Sequence, residues 1–110
     1  MTRQERGESM RGRRPSPEVP AEYDVQFSAR MWKYPGPGGW IFVTVPEEHG
    51  PTVTYAWGRA PVVAEVDGRA WKTSVWREAS GRTLLPVPKA IRGTKGDGDE
   101  VIVRLSFGTP

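Results

Sequence analysis

The chain has one histidine, His49, set in PEEHGP beside Glu47 and Glu48, and it has no cysteine. A lone imidazole cannot build a structural zinc site, which closes with several Cys or His ligands. As a general base it needs a nucleophile or an orienting carboxylate within reach. The sequence shows neither in reach, so His49 reads as a surface histidine. Ser74, Ser80 and Ser106 stand in no nucleophile-elbow pattern. Asp97, Asp99 and Glu100 alternate with glycine, but the loop is too short for an EF-hand, which needs more ligands and a bidentate Glu at its end. The segment reads as a turn. GPGG at 36–39 lacks the lysine and following helix of a phosphate loop and reads as a hairpin connection. The sequence therefore yields no catalytic residue, no metal site and no cofactor. An enzyme would require His49 or Lys89 inside a Trp-lined pocket.

Binding chemistry has more to work with. Between Arg69 and Lys95 stand seven basic residues, Arg69, Lys72, Arg77, Arg82, Lys89, Arg92 and Lys95, with Glu78 as the one acid. Strand alternation places Arg69 and Lys72 on opposite faces, so the seven cannot form one patch. Lys89, Arg92 and Lys95 are spaced by three, and the first two share a side of a helical turn. Five tryptophans are many for one small core. On RAWKTSVW, Trp71, Thr73 and Val75 share one face, and Ala70, Lys72, Ser74 and Trp76 share the other. One of Trp71 and Trp76 is therefore outside the core. A basic patch beside an exposed tryptophan is the combination that holds single-stranded nucleic acid. The candidate contacts are Lys89, Arg92, Lys95, Trp71 and Trp76, for an anionic partner that is either a small ligand or nucleic acid.

The elements that must position these residues are short strands. Eleven prolines and thirteen glycines in 110 residues suit many strands joined by tight turns. Tyr23, Val25, Phe27, Ala29 and Met31 alternate with polar residues as a first strand. YPGPGG is a turn, and WIFVTV behind it is apolar enough for a strand buried on both sides. TVTYAW at 52–57 is a third strand. PVVAEVDGRAWKTSVW is a hairpin whose Asp67-Gly68 pair supplies the positive φ values of a two-residue turn. RTLLPV and EVIVRLSF complete about seven strands.

In LLPVPKAIRGTKGDGDEVIVRL, Val87 is steered away from helical torsions by the proline after it, and Pro88 opens one helical turn. Gly93 ends that turn in a left-handed conformation. Ile91 points into the barrel as a plug, while Lys89 and Arg92 face water. Asp97 or Asp99 bonds nearby amides. VPEEHG and VPKAIRG echo one another at a spacing of 42 residues, Val45 to Val87, which suggests two similar halves. The predicted fold is all-β: one small barrel of six to eight strands, closed or split, over residues 22–108, with a short helical turn at 88–92. Residues 1–21, without an aromatic residue, are expected to form a disordered tail.

With no cysteine, no apolar stretch of membrane-spanning length and no apolar leader, the expected setting is the cytoplasm, away from membranes, as a monomer or weak dimer. The most economical functional class is a non-enzymatic binding module. A protein-interaction or dimerisation unit is the alternative, and an enzyme with a Trp-lined pocket a lesser one.

From Tyr23 to Phe107 the chain resembles a bacterial family known as domain of unknown function 1905. FSARMW, GGWIFVTVP, the PVVAEVDGRAWKTSVW hairpin and LLPVPKAIR followed by GDEVIVRL carry the likeness. The resemblance implies a small β-barrel and brings no activity or ligand with it. Members often carry a helix after the first VP, but EEHGPTVTYAWG is short and proline-interrupted, so no helix is expected there. The PKAIR…GDEV segment alone is similar to the half-barrel unit of swapped-hairpin transition-state regulators and antitoxins, which bind DNA as dimers. Shared geometry accounts for that likeness without shared function.

Overall fold

The computed structural model describes residues 22–107 apart from Val53, and the expected tail lies outside the described residues. Seven strands form one antiparallel sheet: β1 (Val25–Arg30), β2 (Trp32–Lys33), β3 (Ile41–Val45), β4 (Arg59–Val66), β5 (Arg69–Arg77), β6 (Thr83–Pro86) and β7 (Glu100–Ser106). Their spatial order is β1-β7-β4-β5-β6-β3-β2. The two ends of that order are consecutive in the chain, separated by Met31 alone. Met31 is fully buried, donates its N–H to Asp99 O at 2.8 Å and accepts from Gly98 N at 2.8 Å. One bent strand therefore pairs with β7 through its first half and with β3 through its second, which draws the sheet into a barrel. No helix among the described residues is long and apolar enough to cross a membrane.

The core is the inward half of each alternation. Val43, Val45, Val62, Ala64, Val66, Val75, Leu85, Val101, Val103 and Leu105 pack together, with Phe27, Trp71 and Ile91 against them. The hairpin between β4 and β5 turns at Asp67 (φ 49°) and Gly68 (φ 90°), as the sequence predicts. α1 (Lys89–Arg92) is the single helical turn; Pro88 caps it in extended conformation rather than opening it, and Gly93 stops it at φ 62°. After Pro46 the chain makes a 3-10 turn at Glu47–His49, and no α-helix is found before β4 among the described residues, in keeping with the absence of a helix after the first VP.

Two expectations fail. The described residues of TVTYAW hold no strand: Ala56–Gly58 is a second 3-10 turn in which Trp57 takes φ 64°, and β4 begins only at Arg59. Gly58 explains the local course of the chain. At φ 71° a Cβ there would stand 2.3 Å from Arg77 O, so the turn presses its backbone onto β5 where alternation would have demanded a side chain. WIFVTV is not buried on both sides either. Ile41, Val43 and Val45 are buried, but Trp40 is 57% exposed and Phe42 and Thr44 are half-buried on the outer face.

The pairing registers repeat. Trp32 opposite Phe42 has its counterpart in Trp76 opposite Leu84, and Val25 opposite Leu105 in Arg69 opposite Val66. The halves correspond by shifts of 44 residues from β1–β2 to β5 (Trp32 to Trp76), 42 from β3 to β6 (Val43 to Leu85) and 39 from β4 to β7 (Glu65 to Arg104). Under these shifts the pairs Val43–Leu85 and Glu65–Arg104 map onto themselves, so a pseudo-two-fold axis passes through both. The VP echo in the sequence marks this repeat.

Candidate binding surface

Successive strand residues point to opposite faces, so the buried set on β2, β3, β6 and β5 leaves its neighbours outside. Those four strands are adjacent. Their outward residues are Trp32 on β2, Phe42 and Thr44 on β3, Leu84 and Pro86 on β6, and Ala70, Lys72, Ser74 and Trp76 on β5, without a carboxylate among them. Leu84 is only 4% exposed although it points away from the core. It lies between Thr44 and Trp76 in the register, so large outer side chains cover it.

Phe42 is the hub of an aromatic cluster. The Trp32 ring lies 5.4 Å from it at 35°, Tyr34 5.9 Å away edge-on at 69°, and Trp40 6.3 Å away, stacked at 19°. The β2–β3 connection sets this arrangement, because Tyr34 N–H donates to Trp40 O at 2.8 Å and continues the strand register through the YPGPGG turn. Trp32 is held further by its indole N–H, which donates to Thr44 Oγ1 at 2.9 Å. The guanidinium of Arg82 lies 4.9 Å from the Trp32 ring centroid, and its Nε donates to Glu78 Oε1 at 2.9 Å. That hydrogen bond from Arg82 lowers the Glu78 pKa below the usual carboxylate value and raises that of Arg82. Arg59 stands opposite Trp76 in the register, with Nη1 3.5 Å from Ser74 Oγ. Tyr34, Trp40 and Trp76 are all exposed. The result is an outward aromatic platform with Arg59, Lys72 and Arg82 on or beside it.

The sequence-predicted contacts divide among three places. Trp76, 40% exposed, belongs to the platform. Trp71 points inward and packs against the core at the end that Ile91 closes, where Arg69 Nη1 donates to Ile91 O at 3.1 Å. Lys89 is exposed. Val87 N–H donates to Ile41 O, and the register continued by one residue brings Pro88, just before Lys89, across from Trp40. Arg92 does not face water freely, as the periodicity of one turn suggests. It is half-buried, donating Nε to Val87 O at 3.2 Å and Nη1 to Lys95 O at 3.1 Å. Lys95 donates Nζ to Asp67 Oδ2 at 2.7 Å and to Glu100 O at 3.0 Å. Arg92 thus braces the α1 loop internally, Lys95 ties that loop to the β4–β5 hairpin, and Lys89 shares neither contact.

His49 is also not a plain surface residue. It is half-buried, and its ring stacks on Phe27 at 5.9 Å and 19°. By the repeat it is the counterpart of Ile91, and Phe27 that of Trp71, and both Trp71 and Ile91 pack against the core. The carboxylates of the glycine-aspartate loop bond backbone amides, as a turn requires: Asp99 accepts from Gly96 N at 2.8 Å and Asp97 from Lys33 N at 2.9 Å.

Trp32, Tyr34, Trp40 and Phe42 are missed by a reading that looks for basic spacing. The signal that finds them is the symmetric placement of aromatics about YPGPGG. Once residue 34 pairs with residue 40, positions 32, 34, 40 and 42 all fall on the face opposite Met31, Ile41 and Val43.

A search of curated proteins returns no match to the chain. A family model does match, described as a domain of unknown function, DUF1905, over residues 27–105. That span runs from Phe27 in β1 to Leu105 in β7 and includes the whole platform, so the chain belongs to the DUF1905 family.

Proposed function

We propose that the barrel is a non-enzymatic binding module for single-stranded nucleic acid, with the outer face of β2, β3, β6 and β5 as its contact. The observation that carries this reading is the coincidence of exposed rings with positive charge on one face whose outward strand positions hold no carboxylate. Bases stack on aromatic side chains at about 1–3 kcal/mol each whatever their sequence, and neighbouring cations follow the phosphates. Tyr34, Trp40 and Trp76 offer exposed rings, Trp32 and Phe42 fix their bed, and Arg59 and Lys72 supply charge. A platform of this kind binds by stacking and charge and needs no catalytic group.

The test is a titration of tryptophan fluorescence with oligothymidylate and oligouridylate at low and moderate salt. Saturable quenching is expected, with an affinity that falls as salt rises by about 0.7 log units per log unit of salt for each phosphate contact. The Trp40→Ala and Trp76→Ala variants should each weaken binding roughly 5- to 100-fold, the range that loss of one stacked base implies. Lys72→Ala should lower the salt slope. Absence of binding at low salt, or binding unchanged in both tryptophan variants, overturns the reading. So does a concentration-dependent dimer that Trp40→Ala and Trp76→Ala abolish, since the face would then belong to a second copy of the chain.

A further inference from the structure

We infer that the hollow between the β4–β5 hairpin and the loop after α1 is a binding site for a small phosphate-type oxyanion, separate from the aromatic platform. The hollow holds about 220 Å³ and is walled by Asp67, Arg69, Arg92, Gly93, Thr94 and Lys95, among others. At about 30 Å³ per water it has room for a tetrahedral anion with part of its hydration shell. It is small beside the usual 300–1,000 Å³ or so of organic-ligand pockets.

Three cations meet one carboxylate there. Both oxygens of Asp67 are already used, Oδ1 by Ile102 N at 2.9 Å and Oδ2 by Lys95 Nζ at 2.7 Å. The two guanidiniums are held by carbonyls rather than by carboxylates. Arg69 Nη1 donates to Ile91 O, Arg92 Nε to Val87 O and Arg92 Nη1 to Lys95 O. Bonds to neutral carbonyls fix a guanidinium in place without cancelling its charge. Each Arg has five N–H donors, so among the described residues most donors of Arg69 and several of Arg92 remain for a ligand. Gly93 lets Arg69 in: a Cβ at that position, where φ is 62°, would stand 3.1 Å from Arg69 Nη1. Two guanidiniums held in position with spare donors are the arrangement that takes a phosphate oxygen pair in bidentate fashion.

The alternative role for these cations is to cap the carbonyls at the end of α1 and nothing more. The full chain, labelled with nitrogen-15, is titrated with sodium phosphate against sodium chloride and sodium acetate at matched ionic strength. Phosphate is expected to shift the Gly93, Thr94 and Lys95 amides saturably, and chloride is not. Arg69→Ala removes an exposed side chain and should weaken the phosphate response at least 10-fold while the rest of the spectrum keeps its dispersion. Where Arg69→Ala disturbs the fold, Arg69→Lys keeps the charge, loses the fork and should still weaken phosphate several-fold. Equal responses to phosphate and chloride, or a phosphate response unchanged by a folded Arg69 variant, assign the cations to capping alone. An acetate response as strong as that to phosphate overturns the phosphate assignment. Trp40→Ala and Trp76→Ala should leave this amide response unchanged, so failure here leaves the platform reading intact.

Discussion

Asp67 holds three parts of the chain together, and replacing it tests how the barrel is closed. It is the first residue of the β4–β5 turn at φ 49°, it accepts from Ile102 N on β7 at 2.9 Å, and it accepts from Lys95 Nζ beyond α1 at 2.7 Å. Asp67→Ala loses all three. Forcing alanine into the left-handed region costs about 1–2 kcal/mol. The lost bond to the Ile102 amide adds roughly 1–2 kcal/mol, as expected for a charge-assisted hydrogen bond at a partly exposed site. The Lys95 pair adds at most about 1 kcal/mol, because both side chains are a third to a half exposed and water screens them. A total near 3 kcal/mol corresponds to a Tm lower by roughly 12–24 °C in a domain of this size. Asp67→Asn keeps the tolerance for positive φ and an acceptor for Ile102, and should lose only about 1 kcal/mol. The hydrogen bond from Ile102, then that from Lys95, holds the Asp67 carboxyl below its usual pKa. A carboxylate with a depressed folded pKa stabilises the fold above the unfolded value, near 3.9, and loses that contribution as pH falls through the folded value. Thermal melts followed by circular dichroism should therefore show the gap between parent and Asp67→Asn full near pH 7 and closing below about pH 4. An Asp67→Ala protein melting within about 2 °C of the parent, or a parent–Asn gap that persists unchanged in acid, refutes the account.

Gly58→Ala should be among the most damaging single-methyl additions, since the new Cβ would meet Arg77 O at 2.3 Å on a backbone already at φ 71°. Melting should fall by more than the roughly 1–2 kcal/mol of the torsional cost alone, and a near-parental Tm would contradict the close approach. The Tyr23 hydroxyl is buried with no hydrogen-bond partner among the described residues, so Tyr23→Phe should leave Tm unchanged or raise it. Burial first, then Glu65, raises the Tyr23 pKa against the opposing pull of Arg104. The neutral phenol therefore stabilises the fold below pH 10 or so, a contribution lost as pH rises through the folded pKa, and tyrosinate absorbance should show Tyr23→Phe removing a late-ionising phase.

The strands that alternate cleanly are legible in the sequence because their pattern and their environment agree. Val25 to Arg30, the hairpin about Asp67-Gly68 and Glu100 to Ser106 each set one face on the core, and the turn chemistry at Asp67, Gly68 and Gly93 follows from torsions only certain residues accept. TVTYAW misleads for the opposite reason. Its β-branched and aromatic residues satisfy strand propensity, but the contact that decides its course is Gly58 against Arg77 O, nearly twenty residues apart and invisible locally. Among the candidate contacts, Trp76 is legible from alternation on β5. For Arg92 and Lys95, spacing counts charges but cannot show that Val87 O, Glu100 O and Asp67 engage part of their donors. Which of two tryptophans on one strand faces out is written in alternation, whereas which cation remains free depends on partners brought in by the fold.

The pseudo-two-fold axis sharpens the case for the platform. It passes through the barrel wall twice, at Glu65–Arg104 and at Val43–Leu85, and the outer surfaces around the two points differ in chemistry. Around Glu65 and Arg104 the outward side chains pair with each other: Arg104 Nε lies 3.4 Å from Glu65 Oε1 and donates to Gln26 Oε1 at 2.9 Å. Around Val43 and Leu85 both halves instead set a tryptophan outward at the equivalent place, Trp32 and Trp76. Packing does not require this, because the core on the other side of those strands is already closed by Met31 and Val75. The two rings also differ in freedom. Thr44 accepts the indole N–H of Trp32 and Arg82 lies over its face, whereas the counterpart of Thr44 is Pro86, which has no side-chain acceptor for Trp76. One ring is thus fixed in the sheet surface, and the other has no such anchor among the described residues. On these grounds Trp76→Ala should impair binding more than Trp32→Ala at equal loss of stability. The reverse order would mean that the platform is a covering for Leu84 and not a contact.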